Sequence, residues 1–329
     1  MVGNVVEEAP PRVVVVTSRS FSTGDLDLSA TLTEAGCDVR TGPADHDPAL
    51  LAPLLADAGC WIAGTGPVTA EHLDLAPRLR LVARYGVGTD AVDLAAARER
   101  GVLVTNTPGA NSEAVADLAL ALVLAALRGV TTADRDLRSG SSTVRRARQL
   151  GSLTVGLVGF GRIGEAVARR LAGFGSTVLA HDPYADPARL TAAGVRPVAL
   201  DELLGTSDVI SLHAPGDEAV VDAAALTRVR RTAVLVNTAR ARLVDEDAVA
   251  AALRGGRLAA YATDVVERDG PDGPLLAADL ADRTVLTPHV GGHTVEAVDA
   301  MGRGAVEAVL AVLDGREPVH LVAPAGGAA

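Results

Sequence analysis

One stretch constrains the fold more than any other. An apolar run, Leu153 to Val158, breaks into Gly159-Phe160-Gly161-Arg162-Ile163-Gly164 and continues as a helical pattern from Ile163 to Phe174. A strand that turns through three spaced glycines into a helix is a βα unit. The glycines permit a tight turn and let backbone approach a pyrophosphate seated on the helix N-terminus. A Gly-x-Gly-x-x-Gly run alone is weak evidence; its place between strand and helix strengthens it. The next strand ends at His181-Asp182, roughly twenty residues on, where an acid can accept from the adenine-ribose hydroxyls. Asp182 would also repel an extra 2′-phosphate, and Pro183-Tyr184 supply no replacement cation. The expected cofactor is therefore NAD rather than NADP, held by Gly159, Gly161, Arg162, Ile163, Gly164 and Asp182.

The rest of the chain extends this pattern. Strands are expected at 12–17, 37–40, 60–63, 80–84 and 102–105, then at 153–158, 176–181, 208–213, 232–237, 259–264 and 284–287, with helices between. Such alternation implies parallel sheets wrapped by helices. A length of 329 residues suggests two domains of ordinary size. Aromatics make up only 2%, so the cores must be built from Ala, Val and Leu. Ser112 opens a long apolar helix to about Leu127, followed by a charged helix and an exposed arm to about Leu150. The helix from Thr294 to Leu313 could return to the first domain. The residues through Pro10-Pro11 and the Ala-Pro-Ala-Gly-Gly tail are expected to be disordered.

Composition excludes several functions. The chain has no lysine, which removes Schiff-base chemistry and lysine-dependent phosphate transfer. A net charge of -11 argues against a general nucleic-acid or membrane-surface binder, so neither partner is expected. The run Leu118 to Leu127 is about half the length of a membrane span. Cys37 and Cys60 have no metal-ligand spacing, and no metal is expected. With no N-terminal signal pattern, they read as reduced thiols in a cytoplasmic protein.

Two further motifs carry chemistry. Asn237-Thr238-Ala239-Arg240 follows the strand Ala233 to Val236, over the ligand crevice of an open α/β sheet. Arg240 there can grip a carboxylate and polarise the adjacent carbonyl; the nearby Arg242 reads as a surface residue. Thr287-Pro288-His289 precedes Gly291-Gly292. An imidazole at that strand end can exchange a proton with an alcohol or ketone near neutral pH. The candidates for the carboxylate that orients it are Asp264, Glu267 and Asp269. Asp264 ends its strand and would face the nicotinamide side. His213, followed by Ala214-Pro215, is expected to border the cofactor, with Thr238, Ala239 and Gly291 beside it. His293 is either near the substrate or a plain loop residue, while His46, His72 and His320 read as surface residues.

Taken with Ala83-Arg84-Tyr85-Gly86-Val87-Gly88 and Asn106-Thr107-Pro108-Gly109-Ala110-Asn111-Ser112, these motifs make the chain resemble the D-isomer-specific 2-hydroxyacid dehydrogenases, in their 3-phosphoglycerate dehydrogenase-like branch. The resemblance covers nearly the whole chain. It implies two Rossmann-like or flavodoxin-like doubly wound parallel-sheet α/β domains with the active site in the cleft between them. The cofactor domain would span 108–293, with a dimerisation helix and arm about 112–150; residues 1–107 and 294–329 would form a discontinuous substrate domain. It further implies that Arg240 binds substrate carboxylate and carbonyl, that His289 is the acid/base, and that Gly86-Val87-Gly88 holds the carboxylate. A homodimer is implied, and no C-terminal regulatory domain is expected. The chain departs from the family where glutamate usually partners the histidine: that place holds Asp269, followed by Gly270 instead of proline. Either Asp269 reaches His289 or Glu267 substitutes. Ala241 stands where the glycine after the arginine is usual, and the stretch from Gly216 to Val221 is shortened.

The expected activity is NAD-linked hydride transfer at C2 of a D-2-hydroxy acid or its 2-oxo acid. A phosphorylated or phosphonate-bearing substrate such as 3-phosphoglycerate would need a second cation, with Arg84 and then Arg19 as candidates beside Tyr85. The alternatives are an NAD(H)-sensing binding protein of the corepressor type, or a formate- or phosphite-type dehydrogenase on the same scaffold.

Overall fold

The computed structural model describes residues 11–268, 270 and 272–322. The expected leader through residue 10, the Ala-Pro-Ala-Gly-Gly tail and Asp269 lie outside the described residues. Along the chain run β1 (Val13–Val16), α1 (Leu28–Glu34), β2 (Asp38–Thr41), α2 (Pro48–Leu55), β3 (Cys60–Ala63), α3 (Ala70–Asp74), β4 (Leu81–Arg84), α4 (Leu94–Glu99) and β5 (Leu103–Thr105). Two consecutive helices follow, α5 (Ser112–Arg128) and α6 (Val130–Arg138). Then come β6 (Thr154–Val158), α7 (Arg162–Ala172), β7 (Thr177–His181), α8 (Pro187–Ala192), β8 (Arg196–Pro197), α9 (Leu200–Thr206), β9 (Val209–Leu212) and α10 (Ala223–Leu226). The series closes with β10 (Val234–Asn237), α11 (Glu246–Arg254), β11 (Ala260–Thr263), β12 (Thr284–Leu286) and α12 (Val295–Leu313).

Contacts divide the chain into two compact units, Met1–Asn111 with Gly292–Ala329, and Ser112–Gly291. The first contains a five-stranded sheet in the order β2-β1-β3-β4-β5, all neighbours parallel. Its strands β3 and β4 are fully buried, as a sheet covered on both faces requires. Helix α12 packs on β4 and α1 of this unit. The second contains a seven-stranded parallel sheet in the order β12-β11-β10-β9-β6-β7-β8, with the chain reversing direction across the sheet between β6 and β9. Strand β8, two exposed residues at the sheet edge, is too short to leave a hydrophobic period and is absent from the sequence reading. Helix α5 lies against α7, β10, β11 and β12, burying Ala116, Ala119, Leu122 and Val123.

Aspartates start most of the helices that return from these strands. Asp27, Asp47, Asp93, Asp186, Asp222 and Asp245 each accept a backbone N–H two or three residues ahead. Pro48 and Pro187 follow two of these caps, where a missing N–H is harmless.

Among the described residues no single helix is long and apolar enough to cross a membrane; α5 and α6 would pass such a test only jointly and are bent by 60°.

Candidate active site

In the second unit the glycine turn joins β6 to α7 where the sheet order reverses. Gly159 has φ +94, and a Cβ there would sit 2.7 Å from the backbone of His213 and Ala214. A Cβ on Gly164 would meet the Gly159 carbonyl at 2.4 Å. These two glycines are required by the fold itself. Gly161 is different: a Cβ there meets nothing within 4 Å, and no side chain caps the helix that it begins. The turn thus presents an open approach at a helix N-terminus, where a pyrophosphate is favoured. Arg162 is exposed beside it, and Ile163 is half-buried against the core.

Asp182 accepts three backbone N–H groups, from Phe160 at 2.7 Å, Tyr184 at 2.9 Å and Ala185 at 3.2 Å. Its carboxylate therefore ties the glycine turn to the chain beyond β7 while keeping one of its roughly four lone-pair sites, on Oδ2, for a further donor such as a ribose hydroxyl. His213, after β9, is buried; Nε2 contacts Ser211 Oγ at 2.9 Å, and burial pushes its pKa down to about 4. Its Nδ1 and Thr238 Oγ1 are buried without partners among the described residues. Open space at Gly161 and orphaned polar atoms at the ends of β9 and β10 fit a bound dinucleotide. Ala214, Pro215 and Ala239 flank those atoms in the chain.

Beyond β10, Asn237 is fully buried and bridges its own turn. Its amide donates to the Arg240 carbonyl at 2.8 Å and its oxygen accepts Ala239 N–H at 3.0 Å. The sequence motif contained Asn237 without revealing this clamp, which holds the arginine's backbone just past the strand. Arg240 itself is half-buried, with Nη1 donating to the Ala239 carbonyl at 2.9 Å.

His289 has φ +55, a left-handed conformation that is unusual for a residue with a side chain. Asp264, 3% exposed, accounts for it. Its carbonyl accepts His289 N–H at 2.9 Å. Its carboxylate accepts Thr287 Oγ1–H at 2.6 Å, Val290 N–H at 2.8 Å and Gly291 N–H at 2.8 Å. A strain on the order of 1–3 kcal/mol persists only where surroundings over-determine it, and Asp264 does so. Gly291 is packed against Asp264 and α5: a Cβ would lie 2.9 Å from the carboxylate and 3.4 Å from Val115. Of the other acids, Glu267 faces Arg242, 3.8 Å away, with both side chains mostly exposed.

In the first unit, the turn after β4 is built as a nest of donors. Gly86 has φ +133. The carbonyls of Gly86, Val87 and Gly88 are taken by Thr107 N–H at 3.0 Å, Asn106 Nδ2 at 2.8 Å and Arg84 Nε at 2.9 Å. Among the described residues the N–H groups of Gly86, Val87 and Gly88 have no acceptor. Backbone arranged this way attracts an anion. Arg84 is buried and also donates to the Ala63 carbonyl at 3.0 Å, so part of its work is to brace this turn. Tyr85 is buried too, its hydroxyl donating to the Val298 carbonyl at 2.8 Å. Arg19 is exposed.

His46 and His72 correct the sequence reading, which placed them on the surface: they are 1% and 3% exposed. Thr17 Oγ1 accepts from Trp61 Nε1 at 3.0 Å and Gly64 N–H at 3.3 Å, so its own proton goes to His46 Nε2 at 2.7 Å. His46 Nδ1 then donates to the Pro67 carbonyl, and His72 Nε2 to the His46 carbonyl. Both imidazoles are satisfied core groups joining the ends of β1 and β3.

Fold and site together define a dinucleotide-binding α/β protein with an arginine and a histidine at the carboxyl ends of its strands. Residues 120–291 match the family described as D-isomer specific 2-hydroxyacid dehydrogenase, NAD binding domain. D-3-phosphoglycerate dehydrogenase of Mycobacterium bovis is 42% identical over 294 residues, covering 87% of this chain and 54% of that protein. Glyoxylate reductase of Korarchaeum cryptofilum is 41% identical over 269 residues, covering 78% of this chain and 80% of that protein. The crystal structure of the TT0316 protein from Thermus thermophilus superposes with a TM-score of 0.85 at 37% identity, covering 94% of this chain and all of that one. The chain belongs to the D-isomer-specific 2-hydroxyacid dehydrogenase family, and its second unit is an NAD-binding domain. It spans about half the length of the phosphoglycerate dehydrogenases it matches.

Proposed function

We propose that the protein is an NAD-dependent D-2-hydroxyacid dehydrogenase acting on a small 2-hydroxy or 2-oxo acid. The observation that carries this reading is the left-handed His289, locked by Asp264 in the NAD-binding unit. When bound, the nicotinamide supplies or accepts the hydride at C2. Gly161 and the start of α7 hold the pyrophosphate, Asp182 the adenine ribose, and Thr238 with the 213–215 segment the remainder of the cofactor. Arg240 binds the substrate carboxylate and polarises the C2 carbonyl. His289 delivers a proton to the C2 oxygen in reduction and removes it in oxidation. Asp269 is the carboxylate assigned to orient His289, since Glu267 is engaged towards Arg242. In the first unit, the N–H groups of Gly86-Val87-Gly88 form the carboxylate nest.

We assign residues 1–107 with 294–329 to the substrate domain and 108–293 to the cofactor domain, and infer a homodimer. The dimer is supported by a largely apolar groove on α5 and α6, about 570 Å³ in volume and lined by Leu124, Val130, Ala133 and Leu137 with Arg128 and Asp134. A cytoplasmic location is supported by two buried, unpaired thiols, Cys37 and Cys60. The test of function is steady-state reduction of 2-oxo acids with NADH. His289→Ala is expected to lower kcat by about a hundredfold or more, and Arg240→Ala to raise KM as well. Unchanged turnover in His289→Ala would refute the assignment.

A further inference from the structure

A substrate that bears a phosphate needs a cation for it beyond the groups that hold its carboxylate. Ligands of an open parallel sheet bind outside the carboxyl ends of its strands. In the first unit such a cation therefore belongs in the turns that follow β1 to β5, residues 17–27, 42–47, 64–69, 85–93 and 106–111, or at the strand ends themselves. Among the described residues these turns, with Arg84 at the end of β4, offer Arg19, His46 and Arg84 as basic side chains.

His46 is buried, and burial lowers its pKa from the usual 6.5, so it is neutral at pH 7. Arg84 is buried as well and faces its own unit: Nε donates to the Gly88 carbonyl at 2.9 Å and Nη1 to the Ala63 carbonyl at 3.0 Å. Arg19 is exposed, where water and salt screen its charge. The neighbouring polar side chains also donate inward. Tyr85 gives its hydroxyl proton to the Val298 carbonyl at 2.8 Å, with the Phe21 ring edge-on to its own at 6.1 Å. Asn106 Nδ2 is taken by the Val87 carbonyl at 2.8 Å. The turn after β3 has no room for a basic side chain at its two glycines. A Cβ on Gly64 would lie 2.6 Å from the Thr17 carbonyl, and one on Gly66 2.5 Å from the His46 ring.

The plain reading of these contacts is that they brace a sheet edge. Bracing also settles what the edge can bind, because it turns the buried guanidinium away from a ligand and leaves backbone N–H groups of Gly86, Val87 and Gly88 as the anion site. Such a nest carries partial positive charge suited to one anion. A phosphate dianion brought to the same edge would lose water without a buried cation to replace it, which is unfavourable.

We propose that the first unit accommodates a single anionic group, the carboxylate, so that the substrate is a short 2-hydroxy or 2-oxo acid without a phosphate or phosphonate. This deepens the function proposed above and rests on it. Arg84 is a positioning residue of the Gly86-Val87-Gly88 turn, with no bond to a second anion.

The test compares acids that differ only by the phosphate, with the full-length protein. In NADH-linked reduction, kcat/KM for hydroxypyruvate is expected to exceed that for its 3-phosphate ester by about a hundredfold. Equal or faster reduction of the ester would overturn the proposal. Binding is read separately by calorimetry with NADH present, using glycolate, D-lactate and D-glycerate against D-3-phosphoglycerate. D-Glycerate is expected to bind at least about tenfold more tightly than its phosphate ester. Tighter binding of the ester, or binding of none of the three unphosphorylated acids, would overturn the proposal too. Arg84→Gln is expected to weaken both members of each pair by the same factor and to lower Tm, as loss of a brace should. A loss confined to the ester, in Arg84→Gln or in Arg19→Ala, would instead show a phosphate-binding arginine. If Arg84→Gln does not fold, the wild-type pairs still decide. Absence of NADH-linked turnover with every acid would refute the functional reading, and the calorimetric comparison would still count the anions the site accepts.

Discussion

Asp264 is the residue on which the geometry of the His289 turn depends. The sequence placed it at a strand end facing the nicotinamide; the structure shows both carboxylate oxygens gathering the turn from Thr287 to Gly291. Removing them leaves two backbone N–H groups, that of Gly291 buried, and a hydroxyl without their acceptor, and releases a histidine held at φ +55. Losing a bond to a charged acceptor costs on the order of 1.5–3 kcal/mol. Asp264→Ala is therefore expected to depress kcat by about a hundredfold and to lower Tm, measured by NADH kinetics and thermal denaturation. Unchanged kcat would show that His289 needs no such support. The local sequence could not show this role, because Asp264 and His289 meet only when β11 and β12 pair.

At the level of elements, the strand–turn–helix unit around Gly159 to Gly164 was legible because its three spaced glycines fall between a strand and a helix, and they stand there for two different reasons. Gly159 and Gly164 answer to backbone packing, whereas a Cβ on Gly161 would meet only open space. Gly161→Ala is expected to leave Tm within about 2 °C, since φ there is -73 and the space is open, yet to weaken NADH binding by about tenfold or more. Gly159→Ala, at φ +94 and 2.7 Å from backbone, should instead lower Tm by several degrees. Calorimetry and NADH titration of the two proteins check this; equal loss of stability would contradict it. The buried strands were legible for a similar reason: sheets covered on both faces leave continuous apolar runs, as in Val13–Val16 and Cys60–Ala63. What local patterns could not reveal was tertiary. His46 and His72 sit in polar-looking segments and are buried only because Thr17, Pro67 and the His46 carbonyl satisfy them. The nest at Gly86-Val87-Gly88 was legible only through resemblance; its physical basis, three carbonyls engaged and three N–H groups left over, appears once Asn106 and Thr107 come alongside.

For the whole molecule, buried neutral histidines set the acid limit of stability. His213 titrates near 4 because of burial, and burial also lowers His46. In the unfolded chain a histidine titrates near 6.5, so the unfolded state binds the proton first as pH falls. Stability is thus fully present above about pH 6.5 and is lost progressively down to about pH 4, by about 3 kcal/mol for His213 alone. Urea unfolding between pH 7 and 4.5 should show this decline, with a shallower slope in His213→Gln. Equal slopes would mean that His213 is not buried in neutral form. At neutral pH the chain carries a net charge of -11, so any anionic ligand would have to be attracted by local groups against the overall field.

The most direct test follows the hydride. The purified protein would be given NADH deuterated at C4 of the nicotinamide and a panel of 2-oxo acids, phosphorylated and unphosphorylated, with products analysed for deuterium at C2 and for configuration. The account predicts saturable NADH oxidation with at least one acid, deuterium at C2 of a D-2-hydroxy acid, and loss of both in His289→Ala. A product of L configuration, or tight NADH binding with no turnover of any acid, would contradict it.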